Sequence, residues 1–192
     1  MKLVLKTLIC LLASLVLGIG SALWLLKFPP PDKSQVVNGP WRTSLAVGSP
    51  RAGMYLRAWV ALNGLFALNK TETVYFFADT DEDGQSLRSG CDYRVEGRDI
   101  AARWWSITVY GADNYLIPNT AMRYAFNGRN IAKNADGRYT ILMSSTPGTG
   151  NWLPSGNQDQ LHLALRLYNP LPEVYQKPAE LELPRIIKEA CR

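Results

Sequence analysis

The chain has 192 residues, enough for one domain with a real core and too few for two of ordinary size. Its formal charge is +5, but Lys2, Lys6 and Lys27 flank an apolar N-terminal run; without those three, 18 of the 21 basic residues face 16 acidic ones, a net of +2. That near-balance excludes the concentrated positive surface of a nucleic-acid binder.

Residues 7–26 read TLICLLASLVLGIGSALWLL, twenty residues without a charge. As a helix they span about 30 Å, the thickness of a bilayer hydrocarbon core. A cleavable signal would stop after an apolar stretch of about 7–15 residues and a small-residue site. Gly20–Ala22 offers such a site, but LWLL continues the apolar run beyond it, which favours an uncleaved anchor over residues 1–27. The positive-inside rule places the N-terminus in the cytoplasm. The expected setting is a single-pass protein of a bacterial inner membrane with its C-terminal domain in the periplasm. Residues 28–50, opening with three consecutive prolines, read as a stiff extended linker.

The exported domain is expected over residues 51–192. Arg51–Leu68 has helical spacing at Leu56, Trp59, Val60, Asn63 and Phe66, contains no acid and is apolar almost all round. That predicts a helix buried against a sheet, with a second membrane-surface helix as the alternative. Beyond Lys70 the period changes to two: TVYFFAD, CDYRVEG, WWSITVY, MRYAFNG, RYTILMS and LHLALRLY are short strand-like runs separated by turn signals such as DEDG, GADN and NADG. The fold class is therefore mainly β, an antiparallel sandwich or barrel with one short packed helix behind a single transmembrane helix. In LHLALRLY the four leucines share one face; His162, Ala164, Arg166 and Tyr168 share the other. The tail, with Pro170, Pro172, Pro178 and Pro184, reads as an extended arm, neither long helix nor central strand.

Chemistry is constrained mostly by what is missing. With His162 the sole histidine, the ordinary zinc sites lack ligands, and a histidine-activated nucleophile would have to use that one ring. No phosphate loop, dinucleotide fingerprint or nucleophile elbow is present. No cofactor is expected. Asp79, Asp81, Asp83 and Gly84 match the first half of an EF-hand loop, but position 12 is Gly90, without a side-chain oxygen, and strands flank the motif. A hairpin turn is the expectation there, with a noncanonical calcium loop on Asp79, Asp81 and Asp83 as the alternative. Cys91 and Cys191 are expected to form a disulfide, as suits an oxidising compartment, while Cys10 falls within the apolar span.

WSITVYGADNYLIPN, RYAF, NADGRYTI, PGTGNWLP and LRLYNP follow one another in an order and spacing that resembles the bacterial family catalogued as domain of unknown function 1214, over roughly Val74 to Pro172. The resemblance implies a sandwich-like domain of jelly-roll character, joined in longer relatives to a second domain (DUF1254) that this chain lacks. Among its recurrent positions, Arg123, Asn151, Trp152, Arg166 and Tyr168 are candidate ligand-binding residues, together with His162 on the strand face of Arg166. Arginines suit bidentate capture of a carboxylate or internal ion pairs, and Trp152 suits stacking. A small pocket built from Arg123, Trp152, Arg166 and Tyr168 is one expectation, internal pairing of the arginines the other. The functional expectation is a membrane-anchored, non-catalytic envelope protein that binds a ligand, a polymer or another protein, with its residues 7–26 in the bilayer. The alternatives are a carbohydrate-active or carboxylate- and metal-assisted enzyme, or a structural subunit of an envelope assembly.

Overall fold

The computed structural model describes residues 2–28, 32, 34–62 and 66–192. Pro29–Pro31 of the expected linker and Asn63–Leu65 of the expected helix lie outside them. Helix α1 (Lys2–Lys27) has no buried residue and is long and apolar enough to cross a membrane, with a mean hydropathy of 2.4 over its most apolar window. A signal sequence has the same properties. Its hydroxyls are satisfied along the helix itself: Thr7, Ser14 and Ser21 donate to the carbonyls of Leu3, Cys10 and Gly18 at 3.0, 2.8 and 3.0 Å. Apolar surroundings demand that kind of internal pairing.

Two sheets enclose one core. The larger runs in the order β1 (Gln35–Asn38), β2 (Trp41–Ser44), β3 (Thr73–Ala78), β9 (Leu161–Pro170), β5 (Ala102–Gly111), β6 (Ala125–Asn127). The smaller comprises β10 (Arg185–Cys191), β4 (Cys91–Gly97), β7 (Tyr139–Ser144) and β8 (Trp152–Pro154). Val74, Phe76, Ile107, Leu163 and Leu165 from the first sheet pack with Tyr93, Val95, Ile141, Leu153 and Ile186 from the second, all buried. Alternation explains this: each strand turns every second residue inward, and the inward set is apolar. The sandwich is antiparallel except at one place, where β8 pairs in parallel with β7 over Leu142–Trp152, Met143–Leu153 and Ser144–Pro154. The loop of residues 145–151 brings the chain back beside the end of β7, which a pairing this short permits.

Three expectations change. The segment assigned to a linker over 28–50 contains the β1–β2 hairpin, turned at Gly39 with φ of 59°, the geometry a two-residue hairpin loop needs at its first position. Trp41 is fully buried, and its Nε1 donates to the Pro184 carbonyl at 2.6 Å. Asn38 Nδ2 donates to the carbonyls of Pro178 and Leu181 at 3.1 and 2.9 Å. The hairpin is thereby bonded to the C-terminal segment, a partnership between distant residues that local pattern does not reveal. The tail in turn is not merely an arm: after α3 (Pro172–Gln176) and a 3-10 turn at Pro178–Glu180, the proline-free RIIKEAC forms β10 on the edge of the smaller sheet. Finally, α2 (Met54–Leu62) is shorter than Arg51–Leu68 and is not buried: Val60 alone is fully covered, while Met54 and Leu62 are open.

Cys91 and Cys191 are register partners on β4 and β10 and are bridged, tying the last strand to the domain across 100 residues of sequence. Cys91→Ser/Cys191→Ser should lower the unfolding free energy by about 2–5 kcal/mol, the usual range for losing a native bridge. Urea titration would measure it, and an unchanged midpoint would contradict the role. Gly97 offers a second test. A Cβ there would meet Tyr139 Oη at 2.7 Å and Pro184 Cβ at 3.2 Å, whereas one at Gly90 would meet nothing within 4 Å. Gly97→Ala should therefore cost about 1–3 kcal/mol in the same titration and Gly90→Ala much less.

Candidate functional site

The outward face of the larger sheet follows from the same alternation that builds its core. On β9, His162, Ala164, Arg166 and Tyr168 point away from the sandwich. Register sets their neighbours: Arg166 lies between Tyr75 on β3 and Ser106 on β5, Ala164 between Phe77 and Thr108, and His162 beside Tyr110. Ala164, the smallest of the four, forms a low point between taller side chains. Opposite this face stand α2, with Leu56 and Trp59, and the loop around Leu45–Pro50. Between them lies a groove of about 1370 Å³ that includes Tyr75, Phe77, Tyr110, His162 and Arg166.

Arg166 is the charged centre of the groove. Its Nη1 donates to Thr108 Oγ1 at 3.2 Å and its Nη2 to Tyr110 Oη at 2.7 Å. Its guanidinium carbon lies 5.3 Å from the centroid of the Tyr110 ring, within cation–π range. Among the described residues no carboxylate pairs with it, although nine other ion pairs form on the domain. Tyr110 is stacked on its other neighbour as well: the His162 ring lies 5.3 Å away at an interplanar angle of 13°. Burial pushes the His162 pKa below its ordinary value; Asp79 and Asp113 oppose that, and Arg166 adds to it. The imidazole is thus held neutral at pH 7. Burial also raises the Tyr75 phenol, with Tyr168 adding and Arg166 opposing, and Tyr75 Oη donates to the Phe66 carbonyl at 3.0 Å. At the rim, Asp79 is held by Arg42.

The remaining sequence candidates fall elsewhere. Arg123 precedes β6 rather than lying on a strand; its Nη1 donates to the Trp152 carbonyl at 3.1 Å, and its guanidinium lies 5.4 Å from the Phe126 ring. Asn151 ties two segments together: it accepts from the Ala132 amide at 2.8 Å and donates to the carbonyls of Ala132 and Thr140 at 2.7 and 3.0 Å. Trp152 Nε1 donates to the Ser144 carbonyl at 3.2 Å. These three therefore serve the small-sheet end of the domain, and the expected pocket of Arg123, Trp152, Arg166 and Tyr168 does not assemble. Tyr168 shares the face of Arg166 but packs edge-on against Trp104 at 5.3 Å.

The acidic loop is a turn in which Asp81 Oδ1 accepts from the amides of Asp83 and Gln85 at 3.0 and 2.8 Å, with Gly84 at φ of 76°. Glu82 pairs with Arg185, and Asp79 faces the groove instead of the loop. Among the described residues no three His, Cys, Asp or Glu side chains are gathered for a metal ion. The groove also includes residues that sequence reasoning did not select: Arg42, Tyr75, Phe77 and Tyr110. Their signal was parity, since each occupies the strand face that Arg166 identifies on β9.

Residues 72–172 match the family described as "Protein of unknown function (DUF1214)". The crystal structure of the VPA0106 protein from Vibrio parahaemolyticus is similar at a TM-score of 0.60 and 27% identity, over 73% of this chain and 36% of that one. A putative uncharacterized protein from Burkholderia cenocepacia aligns at a TM-score of 0.44 and 21% identity, over 63% of this chain and 30% of that one. The chain thus spans about a third of the length of the solved relatives it matches. No curated protein matches it. With the family match covering β3 through β9, and so Asp79, His162 and Arg166 of the groove, the chain belongs to the DUF1214 family.

Proposed function

We propose that the protein is a membrane-anchored binding module of the bacterial envelope, its β domain in the periplasm, and that the groove over β9 takes a small ligand carrying an anionic group on an apolar body. The observation that carries this reading is Arg166: a half-buried guanidinium in an aromatic-walled groove, positioned by two hydroxyl acceptors and paired with no described carboxylate. A guanidinium out of bulk water gains most from a planar bidentate anion, and the walls of Tyr75, Phe77 and Trp59 would cover the ligand's apolar part. Neutral His162, stacked on Tyr110, fixes the ring that Arg166 uses and leaves an imidazole nitrogen for a second polar contact. The apolar helix α1 supports the anchor, and the Cys91–Cys191 bridge suits an oxidising compartment.

Calorimetric titration of the full chain in nanodiscs with aromatic and aliphatic carboxylates, 3-phenylpropionate first, tests the site. Arg166→Gln should weaken binding about tenfold or more, a loss of about 1.4 kcal/mol or greater, and Arg123→Gln should leave it unchanged. Equal affinities in wild type and Arg166→Gln, or no saturable carboxylate binding at all, would refute the assignment.

His162 supplies a pH test. Because its folded pKa is depressed, the unfolded chain binds the extra proton first, so stability present above the ordinary value near 6.5 is lost as pH falls through it. The lowered carboxyls of Asp32 and Asp99, whose burial is outweighed by hydrogen bonds from Ser34 and Ser44 and from Lys133 and Trp105, act only at and below about 3.8. Between pH 7.5 and 5, His162→Asn should therefore flatten the decline of the urea midpoint. An unaltered slope would count against the buried neutral ring.

A further inference from the structure

We infer that α2 is a two-faced helix whose outer side rests on the bilayer surface beside the anchor. Its inner residues Leu56, Trp59 and Val60 turn toward the domain and the groove. Its outer residues Met54, Ala58, Ala61 and Leu62 recur at helical spacing and form a second apolar stripe, while Tyr55 at its border lines the groove. Met54 and Leu62 are 76% and 68% exposed, and Phe66, just beyond the helix, is 78% exposed. In water such a contiguous apolar surface is unfavourable, so it calls for a cover.

Two further observations identify that cover as lipid. Helix α2 packs against α1, and the half-buried residues of α1 are Leu25 and Leu26 at its C-terminal end. This puts α2 level with the outer end of the span, beside Trp24, Lys27 and Phe28, where a membrane interface would begin. The charge agrees. Between Asp32 and Glu72 the sequence has no acidic residue, whereas Arg51, Arg57 and Lys70 accompany the helix. An apolar stripe with a purely basic flank is the composition of an interfacial helix facing anionic headgroups. A second copy of this chain would have to cover the same stripe while bringing its own cations against them. The inference rests on the reading of α1 as a retained anchor.

The test uses the full chain, with Cys10→Ser and its disulfide intact, reconstituted in liposomes of phosphatidylcholine and phosphatidylglycerol. A nitrobenzoxadiazole label is placed at Met54→Cys, at Leu62→Cys or, as reference, at Asp136→Cys in the exposed turn before β7. Labels at 54 and 62 should shift to the blue and lose emission to lipids carrying doxyl groups on their acyl chains, while the label at 136 should respond to aqueous iodide alone. Chains that float with the liposomes yet give the same iodide-dominated response at all three positions would overturn the inference and leave the anchor standing. Chains that fail to float would overturn both. A label at 62 that is shielded equally in detergent, at dilutions where a cross-linker captures a dimer, would assign the stripe to a second copy instead.

Discussion

The two-residue alternation of β9 is the constraint on which both the core and the groove depend. β9 is central, paired with β3 on one side and β5 on the other, so its backbone is fully committed and its register cannot drift. Leu161, Leu163, Leu165 and Leu167 are buried between the sheets, and that fixes where His162, Ala164, Arg166 and Tyr168 must stand. A slip of one residue would put a guanidinium into the sandwich and four leucines into the groove, which the cost of burying an unpaired charge forbids. The position of the charged group is thus enforced by packing on the opposite side of the same strand.

Once β9 is fixed, its neighbours supply the chemistry without further adjustment. Tyr110 is brought beside His162 by register, and its hydroxyl reaches Arg166, so one phenol links the two candidate polar groups. Thr108 Oγ1, one pleat away, also accepts from Arg166. Hydroxyl partners orient a guanidinium but do not neutralise it. That distinguishes Arg166 from Arg94, Arg98 and Arg185, which are held by Glu side chains at the surface.

The parts of this arrangement that were legible in the sequence are those governed by short-range periodicity. LHLALRLY declared both of its faces, CDYRVEG and RYTILMS appeared as strands within a residue or two, and the DTDEDG motif read as a turn because strands flank it. What was not legible is set by partners distant in sequence. Trp41 belongs to the core because Pro184 accepts its indole proton, and nothing in NGPWRTS announces that. Arg123 and Arg166 looked equivalent as arginines within strand-like runs; the fold sends one to the Trp152 carbonyl and the other into the groove. The apolar character of residues 51–68 was plain, but a helix apolar on all sides can be buried or can separate two apolar environments, and composition does not distinguish them.

The outer face of the large sheet, taken as a packing surface, bears on that last ambiguity. A helix seated flat on it would have to displace water from Arg166, His162 and Asp79, and its one charged side chain, Arg57, is already held by the carbonyls of Ala52 and Pro50 at 2.9 and 3.1 Å. Desolvating that face without compensating partners is unfavourable. The helix stands off from that face, with Val60 buried and the groove beneath it. The polar face on which the proposed anion site rests thus leaves the outer stripe of α2 uncovered by the domain, beside the end of α1, and it is this uncovered stripe that the proposed bilayer contact would bury.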